Sequence, residues 1–144
     1  MTRRDYVTPD LFEVPRPAAP LPGSMDYRTT VCGLLSTMLE ESGQSRFAIA
    51  AKVSELTGRE VTKYMLDSYC AESREDYNAP AFIMPVIEVA AGSYVYSNWL
   101  ASIRGGRLLV GRDALAAELG RVERMKEELA QQERAIKDQL RRGR

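Results

Sequence analysis

The sequence predicts an all-α fold: a flexible N-terminal arm, a bundle of five short helices and one long C-terminal helix. Three observations predict it. Apolar residues recur at three- and four-residue spacing from Val31 to Leu56 and again from Met65 to Ile103. Glycines stand where successive helices should stop, at Gly43, Gly58, Gly92 and Gly105-Gly106. No proline interrupts residues 112–142. The expected division is an arm over 1–25, a helical domain over 26–110 and a long helix within 111–144.

The arm comes first. Five of the seven prolines fall within residues 1–24, at Pro9, Pro15, Pro17, Pro20 and Pro22. Proline removes the amide donor and restricts its neighbour, so regular structure is not expected there. Arg3, Arg4 and Arg16 are candidates for phosphate or minor-groove contact, as in the arms of some DNA-binding domains. A solvated tail without a partner is the plainer expectation.

The first helix should begin at an Asp26 N-cap and end at Ser42-Gly43, with Val31, Leu34, Leu35, Met38 and Leu39 on its apolar face. A second starts at Ser45, buries Phe47, Ile49, Ala50, Val53 and Leu56, and stops at Gly58. Arg59 to Thr62 form a turn. Thr62 then caps a third helix from Lys63 to about Ala71, with Met65, Leu66 and Tyr69 inward. Residues 73–78 are polar and read as a loop. Asn78, with Pro80 just inside, marks the start of a fourth helix through Ile83, Val86, Ile87 and Ala90 to Gly92. Pro85 is either tolerated in its first turn or shifts its start. A fifth helix covers about Tyr94 to Ile103, with Val95, Trp99, Leu100 and Ile103 on one side. Arg107 to Val110 read as a short extended piece or the edge of the core.

From about Arg112 to Arg142 the pattern is one long helix. Leu115, Val122, Leu129 and Ile136 take heptad position d, which puts Leu119, Lys126, Glu133 and Leu140 at a. The charged pair breaks the seam in its middle, and Met125 partly fills the gap. Two outcomes stay open: an amphipathic helix lying on its own domain or in solvent, or an imperfect coiled coil making a homodimer through residues 112–142.

Composition narrows the function classes. The 144 residues are 44% hydrophobic, enough for a core, and 28% charged, and no apolar run approaches the roughly 18 residues that span a bilayer. Met1-Thr-Arg-Arg-Asp lacks the apolar stretch of a secretory signal, so a cytoplasmic location is expected. The two cysteines, Cys32 and Cys70, lie far apart and outside any CxxC, which suggests buried thiols rather than a disulfide or a metal site. There is no histidine, so the usual general base and the commonest zinc ligand are both missing. Glu72, Glu75 and Asp76 read as a solvated loop, Cys70 has no base to activate it, and Gly105-Gly106-Arg107 lies in no phosphate-loop pattern. Neither an enzyme, a cofactor nor a metal is expected.

The segment from Ser45 to about Glu72 has the features of a helix-turn-helix. Such a unit needs a first helix that braces and a second that enters the major groove. Ala50 and Ala51 allow close approach, and Ile49, Val53, Val61, Leu66 and Tyr69 lock the pair. Thr62, Lys63, Tyr64, Asp67 and Ser68 are left facing out. Lysine suits guanine O6 and N7, aspartate suits cytosine N4, and Ser or Thr serves either role. Ser45, Arg46 and Lys52 on the bracing helix are candidate phosphate contacts, as is Arg74 beyond the third helix. The partner would be double-stranded DNA. Charge works against the idea: the net charge is zero, and residues 45–77 hold five Lys and Arg against six Asp and Glu.

The string from Ser45 to Tyr69, SRFAIAAKVSELTGREVTKYMLDSY, resembles the Cro and lambda-repressor helix-turn-helix with a lengthened turn. It is similar, more closely, to small early-region regulatory proteins of Mu-like transposable bacteriophages. PAFIMPVIEVA from Pro80, Trp99-Leu-Ala and GRLLV from Gly106 continue that similarity, which spans roughly residues 30–110. The resemblance implies a five-helix, lambda-repressor-like DNA-binding domain, a role in phage transcription control and a place in the host bacterial cytoplasm. It puts Thr62, Lys63, Tyr64, Asp67 and Ser68 on the recognition helix. The long turn and acidic balance depart from the commonest pattern. The alternative is a protein-interaction adaptor that docks through the long helix and uses the bundle as scaffold.

Overall fold

Six helices make up the computed structural model, which describes residues 14–143, and these described residues form no sheet. The chain divides between Leu108 and Leu109. Five helices precede that point and one follows it. No helix among the described residues is long and apolar enough to cross a membrane.

Helix α1 (Arg28–Glu41) buries Leu35, Met38 and Leu39 of the face its periodicity predicts, together with Cys32, while Val31 and Leu34 are half-buried. Its cap position is Tyr27, one residue later than expected. Asp26 instead turns its carboxylate onto the Arg28 amide at 3.2 Å. Helix α2 (Arg46–Thr57) is capped by Ser45, whose Oγ accepts from the Ala48 amide at 3.1 Å. It ends at Gly58 with φ of 66°, a left-handed conformation that costs glycine nothing. Ile49, Ala50 and Val53 are buried. Phe47 and Leu56, expected on that buried side, are 69% and 48% exposed. A helix as short as α2 hides only a narrow stripe, and both residues fall at its margins. Ala51 is exposed too, so Ala50 alone supplies close approach.

Helix α3 (Lys63–Cys70) starts at Thr62, whose Oγ1 accepts from the Met65 amide at 3.2 Å. Helix α4 (Met84–Ala91) begins six residues after Asn78, a correction to the start expected there. Pro85 has no amide to give to a preceding turn, so it must sit in the first turn, and the helix starts around it. Asn78 donates its side-chain amide to the Glu75 carbonyl at 2.9 Å and serves the loop before it. Helix α5 (Val95–Ile103) follows Gly92. None of its residues is fully buried, and Leu100 is 45% exposed.

The core forms where α1 packs on α3, α4 and α5, α2 packs on α3 and α4, and α4 packs on α5. Leu35, Met38, Ile49, Leu66, Met84 and Ile87 are its largest fully hidden side chains. Tyr27 meets Trp99 edge-on at 5.2 Å, which fixes the start of α1 against α5.

Part of the proline-rich arm is fastened. The Ala18 amide donates to the Ile103 carbonyl at 2.9 Å, and Pro17 forms an isolated antiparallel bridge with Arg104. Gly105 makes this possible, because a Cβ there would lie 2.6 Å from the Pro17 nitrogen. Pro17 and Ala18 are thus held at the end of α5, where a free tail was expected. Arg3 and Arg4 lie outside the described residues. Residues 107–110 take no regular structure.

Helix α6 (Arg112–Arg142) has the predicted bounds. None of its residues is buried, and Leu115, Leu119, Leu129, Ile136 and Leu140 are each more than half exposed.

Candidate nucleic-acid interface

The α2–α3 pair is set by its turn. Ser54 Oγ accepts from the Val61 amide at 2.8 Å and lies 2.9 Å from both the Ala50 and Val61 carbonyls. One hydroxyl thus ties the last turns of α2 to the residue before the α3 cap. Thr57 Oγ1 accepts from the Arg59 amide at 3.2 Å and steadies the same turn. Val61 is buried, which pins the strand-like stretch before Thr62 to the core. The turn is longer than a tight helix-turn-helix, yet it has its own polar stitching. Periodicity does not find Ser54, because it acts through backbone groups seven residues away.

Two groups of side chains meet on α3. In the first, Asp67 sits between two cations. Arg46 donates to Oδ1 at 2.7 Å and Lys63 to Oδ2 at 2.6 Å. The bond from Lys63, followed by that from Arg46, holds the Asp67 carboxyl below the usual carboxylate range, against the opposing pull of partial burial. The bond to Asp67 likewise raises the Arg46 guanidinium above its ordinary value. Lys63 Nζ also lies 5.6 Å from the centre of the exposed Phe47 ring. In the second group, Arg74 donates to Ser68 Oγ at 2.7 Å, and its guanidinium carbon lies 5.0 Å from the centre of the Tyr64 ring. Tyr64 is 61% exposed.

The nine candidate residues therefore separate. Arg46, Lys63 and Asp67 form one cluster, and Tyr64, Ser68 and Arg74 the other. Ser45 and Thr62 are helix caps. Lys52 pairs with Glu55 at 3.2 Å and bonds to no member of either cluster. Ser68 is 3% exposed and is corrected from an outer-face residue to an internal one. The eight-residue α3 is held on two sides, by α1 and by α2, so its hidden stripe widens to include Ser68. Serine is small enough to be enclosed there, and Arg74 satisfies it. Thr62, Lys63 and Asp67 are half-buried, which leaves Tyr64 the most exposed member of the predicted face.

Chemically, this surface offers three cations, one carboxylate and two exposed aromatic rings. Both Asp67 oxygens are engaged, so its first role is to aim Lys63 and Arg46. Each ammonium or guanidinium keeps further donors for an anionic partner. Beside Tyr64, residues 73–77 line an open cleft of about 580 Å³ that also carries Glu75 and Asp76. Those carboxylates reduce the positive field on that side.

Other polar features serve the fold. Glu88, 5% exposed, accepts from the Ser97 amide at 2.8 Å and from Ser97 Oγ at 2.5 Å, and so caps α5 from α4. Burial pushes the Cys70 thiol up, with Arg46 opposing, which is the direction away from a reactive thiolate. Among the described residues no group of three or more His, Cys, Asp or Glu is placed to hold a metal ion. No protein-family model, no curated protein and no solved structure matches this chain.

Proposed function

We propose that α2 and α3 form an extended-turn helix-turn-helix that binds double-stranded DNA, and that the protein is a sequence-specific transcriptional regulator of the phage, lambda-repressor-like kind. What carries the reading is the Lys63–Tyr64 pair at the start of α3, flanked by Arg46 and Arg74, on a helix whose opposite side is locked into the core by Leu66 and Tyr69. Lys63 and Tyr64 meet base edges in the major groove. Arg46 and Arg74 take the flanking phosphates, along with the amides at the N-terminus of α2. Asp67 orients the two nearest cations. Two copies pair through residues 112–142, and the site of action is the host cytoplasm.

Selection of bound sequences from random duplex DNA tests the proposal, followed by titration at several salt concentrations. A selected duplex should bind with a log–log salt slope of only about −3, since few phosphates are neutralised. Lys63→Ala and Tyr64→Ala should each weaken the selected duplex by about tenfold while leaving thermal unfolding unchanged. No enrichment, together with affinity indifferent to salt, overturns it. That result would favour the second reading, an adaptor docking through α6, which is supported by the exposed apolar row of that helix.

A further inference from the structure

Helix α6 is 31 residues long, about 46 Å at 1.5 Å per residue, and none of it is buried. Its apolar row runs from Leu115, 72% exposed, to Leu140, 69% exposed. The identity and orientation of what covers this row can be read from its charges. We infer that it pairs with α6 of a second copy running antiparallel, with Leu115 level with the partner's Leu140. The inference rests on the pairing through residues 112–142 proposed above and adds its direction and register.

In a parallel, in-register pair, a meets a and d meets d. Lys126 would then face the partner's Lys126, and Glu133 the partner's Glu133, in adjacent central layers. Glu118 at g would also oppose the partner's Glu123 at e. Every charged contact across such a seam is between like charges. Reversing one helix makes a meet d. The register that pairs Leu115 with the partner's Leu140 also pairs Leu119 with the partner's Ile136. Symmetry repeats both layers at the other end, so four apolar layers close the two ends of the rod. In the middle, Lys126 lies against the partner's Leu129, and Val122 against the partner's Glu133. Lys126 and the partner's Glu133 are then about 6 Å apart along the axis, within reach of two long side chains. Among the described residues Lys126 has no ion-pair partner. Glu133 is bonded by Lys137 through one carboxylate oxygen. The flanking positions also change character. Glu118 now meets the partner's Gln139, and Glu123 meets the partner's Ala130, so the like-charge contacts are gone. Shifting the antiparallel register by one heptad either way leaves a terminal leucine without a facing residue. Charge and apolar overlap therefore select the same arrangement.

Sedimentation of the full chain at tens of micromolar should give twice the chain mass. Lys126→Glu and Glu133→Lys, made singly, should each weaken the dimer about five- to tenfold, and the double exchange should return it to within about twofold of wild type. A parallel pair responds differently, since each exchange only replaces one like-charge layer by another. Cysteine placement gives a second readout in a Cys32→Ala, Cys70→Ala background. Leu115→Cys chains alone should not form a disulfide dimer on mild oxidation. A mixture of Leu115→Cys and Leu140→Cys chains should do so. Self-linking of Leu115→Cys, or equal affinity across the charge exchanges, overturns the antiparallel order while leaving a dimer in place. A monomeric mass overturns the pairing itself. Neither result bears on DNA binding by α3, which is read from the Lys63 and Tyr64 variants.

Discussion

Helices α3 and α6 have the same kind of sequence and opposite surroundings. Both alternate apolar and charged residues at helical spacing, and both carry a lysine four residues from a carboxylate. In α3 the apolar side, Leu66 and Tyr69, is enclosed by α1 and α2. In α6 the apolar side is longer and none of it is buried. The eight residues of α3 owe their helicity to packing and capping, since an isolated helix of that length is marginal in water. The 31 residues of α6 exceed that limit and carry internal pairs such as Glu118–Arg121. Periodicity thus reveals that a face is apolar but not what covers it. In α3 the cover is intramolecular; in α6 no residue of the apolar row is buried.

The largest expected effect breaks that comparison directly. Ile49→Asp buries a charge in the core that holds α3 and should abolish cooperative thermal unfolding of the bundle, a loss on the order of 4 kcal/mol or more. Leu119→Asp, the same change on the exposed row, should leave the bundle's melting temperature within about 2 °C and act only on the mass in solution. A bundle destabilised equally by both would mean that the α6 row is not free.

A middle-sized effect sharpens the α3 side. Ser54→Ala removes the acceptor for the Val61 amide and should cost about 1–3 kcal/mol, read by chemical denaturation. If the turn orients α3, DNA affinity should fall as well at temperatures where the variant is fully folded. Ser68→Ala sits between these cases. It leaves Arg74 without its internal acceptor, so it should lower stability by about 1 kcal/mol rather than erase a base contact. Loss of DNA selectivity with unchanged stability would restore Ser68 to the recognition surface.

The smallest effect is acid sensitivity. The folded-state value of Asp67 is depressed, so its contribution is complete above the ordinary carboxylate range, near about pH 4. It is lost as pH falls through the lowered value. Because solvent reaches the carboxylate, the loss is slight. It should appear as a shallow decline in stability at acid pH that is absent in Asp67→Asn. A steep decline shared by that variant would assign the effect to other carboxylates.

Much of this architecture was legible in the residues. The bounds of α6 follow from a proline-free heptad run, and the caps at Ser45, Gly58 and Thr62 follow from local chemistry that needs no tertiary contact. What escaped depends on distant partners. Phe47 and Leu56 look internal on a helical wheel but fall outside the strip that α3 and α4 cover. The helical pattern puts Ser68 outside and assigns Glu88 no place, yet each is buried beside a group that satisfies it, Arg74 in one case and Ser97 in the other. Of the expected recognition face, Tyr64 alone is exposed, while Lys63 and Asp67 are half-buried and bonded to each other.

The fastening of Pro17 and Ala18 at the end of α5 has a practical meaning for anyone trimming the chain. Helix C-termini leave their last carbonyls without internal partners, and Ala18 supplies one of them at Ile103. A version beginning at Met25 would uncover that carbonyl and the backbone beside Gly105. The last turn of α5 should then fray, and amide exchange there should quicken while α1 to α4 remain protected. Pro17 and Ala18 thus act as a clasp on the fifth helix, and a shortened chain has to retain them to keep that helix end closed.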